Sequence, residues 1–262
     1  MGNEMKTATV CVQRFNPDTD QKPYIDRFQV SLENDPTLLD ALQLIKTTVD
    51  GSVTFRKSCR HAICGSCAMN VNGRNLLVCH QPLKKHLNRK GEVTIKPLPY
   101  LPIIKDLVVD RTAFWEQYLR VKPWLVPPDT IPEKEFRMTP EEVAALQNAE
   151  TCIMCGACYS ACTVIGMTKE YMGPHALLKS FQRVLDPRDT IPAERLADVG
   201  HGDGVARCHT IFNCIDACPK GLDPTRAIET LRQLWRKREA LEKERQERQK
   251  TLIVEETNGN HV

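Results

Sequence analysis

Ser58-Cys59-Arg60-His61-Ala62-Ile63-Cys64-Gly65-Ser66-Cys67, closed by Cys79, spaces four thiols as C-x4-C-x2-C-x11-C. That is the plant-type [2Fe–2S] ligand spacing. Two irons and their bridging sulfides fill the room between such ligands, so the loop needs small residues. Gly65 and Ser66 supply that room, and their backbone N–H groups can point at sulfur. Structural zinc is the competing chemistry, but zinc sites usually pair two C-x2-4-C units across a longer gap.

Downstream, Cys152, Cys155, Cys158 and Cys162 read C-x2-C-x2-C-x3-C, the opening run of a two-cluster ferredoxin. Cys208, Cys214 and Cys218-Pro219 repeat the run with Ile211 where its second cysteine belongs. In such pairs the fourth cysteine of each run serves the other cluster. Cys152, Cys155, Cys158 and Cys218 are therefore expected to hold a [4Fe–4S] cluster. Cys162, Cys208 and Cys214 are expected to hold the other. An apolar Ile211 side chain cannot bind iron, so that cluster should be [3Fe–4S]. A four-iron cluster completed by an oxygen or histidine ligand is the alternative, although His209 lies at the wrong offset. Eleven of the twelve cysteines are used in this way. Cys11, on the first predicted strand, reads as a small buried hydrophobe.

Around these runs the pattern changes from strand to helix. Tyr24, Asp26, Phe28, Val30 and Leu32 nearly alternate with polar neighbours, as in a half-buried strand. Asp35-Pro36 is expected to cap a helix carrying Leu38, Leu39, Leu42 and Ile45. Asn72-Gly73 is a hairpin signal, and Val93 with Ile95 marks a last strand. Strands, one helix, then strands is the order of a β-grasp ferredoxin. Prolines at 97, 99 and 102 stiffen the next stretch of chain, and those at 123, 127, 128 and 132 punctuate a later one. Thr139-Pro140-Glu141-Glu142 is a capping box, Leu177 to Leu185 carries an amphipathic stripe, and Asp223-Pro224 opens another helix. The expected fold is α+β: a β-grasp [2Fe–2S] domain over 1–103, an all-α two-cluster ferredoxin-like domain over 104–240, and a charged tail over 241–262.

The charge of +3 over 262 residues is too mild to argue for nucleic acid as a partner. No secretory signal opens the sequence and no apolar run reaches the roughly 18–20 residues that cross a bilayer. Metal-bound thiolates in a reducing compartment fit the cysteine usage. Any work at a membrane then requires partner subunits.

These motifs resemble the iron–sulfur subunit of succinate dehydrogenase and its relative fumarate reductase, respiratory complex II. The likeness covers nearly the whole chain. It is carried by Ser58-Cys59-Arg60, Cys64-Gly65-Ser66-Cys67-Ala68-Met69-Asn70 and Ile104-Lys105-Asp106-Leu107-Val108. It is carried further by Cys152-Ile153-Met154-Cys155-Gly156-Ala157-Cys158 and Cys214-Ile215-Asp216-Ala217-Cys218-Pro219-Lys220-Gly221. The resemblance implies that succinate is oxidised on a separate flavoprotein with covalent FAD. Electrons then pass through the [2Fe–2S], [4Fe–4S] and [3Fe–4S] clusters to a quinone at membrane-anchor subunits, which are expected to bind haem b. No dicarboxylate catalytic site is expected on this chain. Its expected place is peripheral, on the cytoplasmic face of a prokaryotic inner membrane.

Two departures bear on that picture. Many relatives carry Glu-Gly where this chain has His61-Ala62. Ubiquinone-using relatives follow the residue equivalent to Cys162 with a Pro-Ser-aromatic-Trp-Trp segment, where this chain reads Thr163-Val164-Ile165-Gly166-Met167. Menaquinone is therefore the expected partner, packed on Val164 and Ile165 and flanked by Thr163, His209 and Ile211. His209 would relay protons, or else be a packing histidine. Tyr171-Met172-Gly173-Pro174 looks closer to fumarate reductases, whereas Cys208 to Cys214 looks like the succinate-oxidising type. Quinol:fumarate reductase thus stands as the alternative. A free-standing ferredoxin-like carrier is the reading from another class, although such carriers are usually acidic.

Overall fold

The computed structural model describes residues 7–130 and 132–238. The tail expected over 241–262 lies outside them. Two compact units are present, and they follow space rather than chain order. The first keeps the chain as far as Glu116 and takes back Thr151–Lys169 and Ile211–Asp223. The second holds Gln117–Glu150, Glu170–Thr210 and the chain from Pro224 onwards. The division expected at residue 104 was a single cut along the chain. The units are interleaved because the cysteine-bearing segments pack with the sheet-forming residues.

The first unit is built on a five-stranded mixed sheet of order β2-β1-β5-β3-β4, with β1 Thr7–Arg14, β2 Tyr24–Ser31, β3 Ala68–Val71, β4 Arg74–Leu77 and β5 Glu92–Lys96. β1 and β2 pair antiparallel along their whole length, from Thr7 opposite Ser31 to Arg14 opposite Tyr24. On β2 only Phe28 and Val30 are buried, the alternation that a one-sided strand requires. Asn72 and Gly73 link β3 to β4 with φ of +50° and +88°, the left-handed pair of a tight hairpin turn. β5 runs parallel to β1 and antiparallel to β3. A parallel pair needs a long crossover, and here that crossover carries both helix α1 and the first cysteine loop. A small hairpin, β6 Ile103–Lys105 with β7 Val108–Val109, comes next.

Helix α1 spans Leu38–Leu44 and buries Leu38, Leu39, Ala41 and Leu42. Its cap is Thr37, not Asp35. The Thr37 hydroxyl accepts from the Asp40 N–H at 3.1 Å while the Asp40 carboxylate accepts from the Thr37 N–H at 3.1 Å. That reciprocal pair satisfies two orphan donors, and it displaces Asp35, which sits at φ +47° in the turn before it. Arg14, at the end of β1, is 5% exposed and pairs with Asp50 at 2.6 Å, Asp26 at 2.9 Å and Asp106 at 3.2 Å. Asp106 also accepts from the N–H groups of Phe15 and Thr54. One buried cation thereby ties β1, β2, the turn after α1 and the β6–β7 hairpin. Cys11 is buried in β1, and burial pushes its thiol pKa up, as expected of a structural cysteine.

The other helices are α2 Thr112–Arg120, α3 Pro140–Ala145, α4 Ala157–Ala161, α5 Thr163–Met167, α6 Gly173–Leu185, α7 Pro192–Gly200, α8 Asn213–Asp216 and α9 Pro224–Arg236. Within the first unit α4 rests on β4, where the buried Asn75 amide donates to the Ala157 carbonyl at 3.0 Å. Phe114 meets Tyr159 of α4 edge to face, with ring centroids 5.5 Å apart. Every regular element among the described residues of the second unit is helical. There α6 buries Leu177, Leu178, Phe181 and Val184 and packs with α7 and α9, which contribute Leu196, Ile228 and Leu231. The capping box at Thr139 and Glu142 forms as expected.

The proline-rich stretch of that unit is held by a buried ion pair. The Arg195 and Asp189 side chains, both 0% exposed, join through Nε to Oδ1 at 3.0 Å and Nη2 to Oδ2 at 2.7 Å. Arg195 also donates to the carbonyls of Val121, Lys122 and Trp124. Asp189 accepts from the N–H of Val126 at 3.1 Å. Chain 121–126 is therefore fixed by polar contacts rather than by a helix.

Candidate metal centre

The first cysteine loop owes its shape to left-handed residues. Arg60, Ala62 and Gly65 have φ of +62°, +54° and +72°. Set among neighbours of negative φ, they help turn N–H groups inward, as in an anion-binding nest. The N–H groups of His61, Ile63 and Cys64 all point at Cys59 Sγ, at 3.4, 3.4 and 3.3 Å. The Ala62 N–H points at Cys79 Sγ at 3.4 Å, and the Ser66 hydroxyl lies 2.9 Å from Cys64 Sγ. A neutral thiol is a weak acceptor, so this many donors suits thiolate sulfur.

The four thiols also meet in pairs. Cys64 is pulled down to about 6, first by the Ser66 hydroxyl and then by hydrogen bonding with Cys59. Cys67 is pushed up to about 12, chiefly by burial and further by the neighbouring Cys79 and Cys64. Without iron the buried member would stay protonated. The donor set fits a two-iron cluster, whose metal charge is what can hold Cys67 as a thiolate.

Gly65 does more than turn the loop. A Cβ there would lie 2.7 Å from Cys155 Cβ and 3.2 Å from the Ile153 carbonyl oxygen. The first cysteine loop therefore touches the second run directly, within one compact unit. In that run Met154 and Gly156 take φ of +53° and +84°, winding the chain around the space between Cys152, Cys155 and Cys158.

Like-charge neighbours reveal how this group is assembled. Burial pushes Cys155 up to about 11, and Cys152 and Cys218 add to the rise. Burial likewise raises Cys158 well above its ordinary value, with Cys155, Cys152, Cys214 and Cys218 contributing. Cys218 thus stands beside Cys155 and Cys158, although 60 or more residues separate them in sequence. Its own sulfur faces the Leu222 N–H at 3.4 Å. Four such buried or half-buried sulfurs can all be thiolates only beside a cationic centre, and these fit a four-iron cluster. No disulfide joins any of the twelve cysteines. Among the described residues no three His, Cys, Asp or Glu side chains are grouped to share a single metal ion.

Of the last group, Cys162 and Cys214 lie in the first unit, where the Asn213 amide donates to the Ala161 carbonyl at 3.2 Å and so ties their two segments. Cys208 lies in the second, its carbonyl held by Arg232 Nη2 at 3.3 Å. Ile211 is 47% exposed and His209 and Thr163 are exposed as well. Val164 and Ile165, expected to contact a quinone, are 3% and 4% exposed and belong to the core. Helix α5 turns these two inward and presents Thr163, Gly166 and Met167 outward. An aromatic ring does reach this turn from elsewhere in the same unit, since a Cβ on Gly166 would lie 2.5 Å from the Tyr100 ring. Sequence reasoning missed Tyr100 because it stands more than sixty residues away. It missed Arg111 too, whose guanidinium lies beside Gly156.

Comparison with known proteins finds both kinds of cluster-binding domain. Residues 9–116 match the family described as "2Fe-2S iron-sulfur cluster binding domain" and residues 148–222 match "4Fe-4S dicluster domain". The succinate dehydrogenase iron-sulfur subunit of Paracoccus denitrificans is 41% identical over 225 residues, covering 85% of this chain and 86% of that one. The mitochondrial succinate dehydrogenase [ubiquinone] iron-sulfur subunit 1 of Oryza sativa is 42% identical over 233 residues, covering 87% and 82%. Among solved structures, a chain of the Mycobacterium smegmatis Sdh1 complex in the apo form superposes with a TM-score of 0.80 at 25% identity, covering 88% of this chain and 96% of that one. With its thiols grouped for two-iron and four-iron clusters and relatives this similar along most of its length, the chain belongs to the family of succinate dehydrogenase iron-sulfur subunits.

Proposed function

We propose that this chain is the electron relay of a succinate:quinone oxidoreductase, taking electrons from an FAD-bearing flavoprotein subunit and delivering them to a quinone at membrane-anchor subunits. The observation that carries this is the contact at Gly65, where the [2Fe–2S] loop lies against Cys155 of the next run. Electron transfer between centres falls steeply with distance, so loops in contact make a short step. Bound clusters supply the one-electron chemistry, and the protein supplies position and tuning. Cys59, Cys64, Cys67 and Cys79 would hold [2Fe–2S]. Cys152, Cys155, Cys158 and Cys218 would hold [4Fe–4S], and Cys162, Cys208 and Cys214 would hold [3Fe–4S]. The inward N–H groups at 61–64 stabilise charge on sulfur, and burial keeps water from the inner thiols.

The names of the relatives support succinate oxidation over the fumarate-reducing alternative. Among the described residues no helix is long and apolar enough to cross a membrane, so anchors, expected to carry haem b, would hold the subunit there. The cytoplasmic face of a prokaryotic inner membrane is the proposed location. Ile63, at 62% exposed, and Met167, at 78%, are large apolar side chains suited to contact with other subunits. Menaquinone is the proposed acceptor, supported by the lack of an indole in 163–167 and met by Thr163, His209 and Ile211. A clear kinetic preference for ubiquinone analogues overturns that choice.

The ligand assignment is tested with Cys218→Ser in the complex assembled with its flavoprotein and anchors. Paramagnetic resonance should show the [4Fe–4S] signal lost or altered and the three-iron signal retained. Loss of the three-iron signal first would mean that the two runs are not crossed.

A further inference from the structure

Arg111 is a cation without a carboxylate. It directly precedes α2 and is half-buried. Among the described residues no ion pair involves it. The adjacent Asp110 carboxylate is taken up by the Thr112 N–H and hydroxyl, at 2.9 and 2.7 Å. The Arg111 Nε–H is buried and has no acceptor. One terminal nitrogen, Nη2, donates to the Met154 carbonyl at 2.5 Å. The flat guanidinium lies 4.5 Å from the Phe114 ring centroid and 5.4 Å from that of Trp115, so two aromatic faces hold its orientation.

Its position is specific. A Cβ on Gly156 would stand 3.2 Å from Nη2 and 3.7 Å from Cζ, so glycine there leaves room for the guanidinium beside the Cys155–Cys158 segment. Those two thiols are its electrostatic partners, with Arg56 opposing. Burial presses the guanidinium towards its neutral form, but arginine stays charged in proteins. Burying a charge with no counter-charge is strongly unfavourable. A cluster held by Cys155 and Cys158 would supply that counter-charge.

We infer that Arg111 is the built-in counter-ion of the [4Fe–4S] cluster and raises its reduction potential. A cluster with four thiolate ligands is anionic and gains one further negative charge when it takes up an electron. A fixed cation beside it stabilises the reduced form more than the oxidised form, and net charge is among the factors that set such potentials. Arg111 would thus be a positioning residue for the second step of the relay, keeping that cluster reducible from the [2Fe–2S] side. The inference rests on the assignment of Cys155 and Cys158 to the [4Fe–4S] cluster.

The test is a potentiometric titration of the assembled complex, followed by paramagnetic resonance of all three centres, with Arg111→Gln, Arg111→Met and Arg111→Lys. The neutral variants should lower the reduction equilibrium constant of the [4Fe–4S] centre at least tenfold, about 59 mV for one electron. Arg111→Lys should retain most of it, and the other two centres should move less. Loss of the [4Fe–4S] cluster in both neutral variants, but not in Arg111→Lys, would also support a counter-ion. An unchanged midpoint in Arg111→Gln with the signal intact overturns the inference. So does an equal shift of all three centres, or loss of the cluster in all three variants, which would make Arg111 a packing residue. Failure of the underlying ligand assignment appears separately, as a [4Fe–4S] signal untouched by Cys218→Ser.

Discussion

Ala62 holds a left-handed conformation, φ +54°, that an L-residue adopts at a cost of roughly 1–2 kcal/mol. The strain persists because the Ala62 N–H must face Cys79 Sγ. Glycine, which the resemblance leads one to expect there, would relieve it while adding freedom to the unfolded chain. Ala62→Gly should therefore stabilise the loaded protein by about 0.5–1 kcal/mol, read as a higher Tm; a lower Tm would show that the loop is not strained. Asp50 offers a second test at this scale. Its carboxyl is lowered from 3.8 to about 2, first by the Ser52 hydroxyl and backbone, then by Arg14. A depressed folded-state pKa gives stability that is full above the unfolded value and lost as pH falls towards the folded one. Between about pH 4 and pH 2 the native protein should lose stability faster than Asp50→Asn, compared by urea unfolding across that window. Parallel pH profiles would remove Asp50 from the acid response.

Elements here are placed by polar contacts as much as by apolar faces. Helix α6 needed only its apolar stripe to be foreseen. Chain 121–126 has no stripe, and the Arg195–Asp189 pair holds it by hydrogen bonds to its carbonyls and N–H groups. Removing one partner of a fully buried pair leaves the other uncompensated, at about 3–5 kcal/mol. Arg195→Met should lower the thermal midpoint and raise hydrogen exchange at the Val126 N–H, which Asp189 accepts. Unchanged exchange there would mean that the segment is held by something else. Replacing both partners with apolar residues should do less damage than replacing Arg195 alone.

Across the whole molecule, the proposed cluster type in the third set rests on one side chain. Ile211 occupies a cysteine's place, and Ile211→Cys adds the thiolate that a fourth iron requires. The air-oxidised variant should lose the three-iron resonance and gain a four-iron centre on reduction. Retention of the three-iron signal at full iron content would show that residue 211 does not face the cluster. Interleaving of the two compact units along the chain also belongs to this scale: the chain enters the first unit three times, with cysteines on each pass.

The two-iron and four-iron cluster types, the Asn72-Gly73 hairpin and the α6 stripe were legible because each depends on spacing or on local conformational preference. The Thr37 cap was missed by two residues, since Asp35-Pro36 and Thr37-x-x-Asp40 both carry capping signals and only the reciprocal hydrogen bonds of the second choose between them. Val164 and Ile165 could be read as apolar but not as inward-facing, because one turn of helix shows no periodicity. Cys218 beside Cys155, Gly65 against Cys155, Tyr100 on Gly166 and Arg111 beside Gly156 join positions dozens of residues apart. The sequence by itself determined where the sulfur atoms lie along the chain and at what spacing. Only the tertiary structure decided which charges and rings stand beside them, because those contacts come from packing between distant segments and leave no local pattern to read.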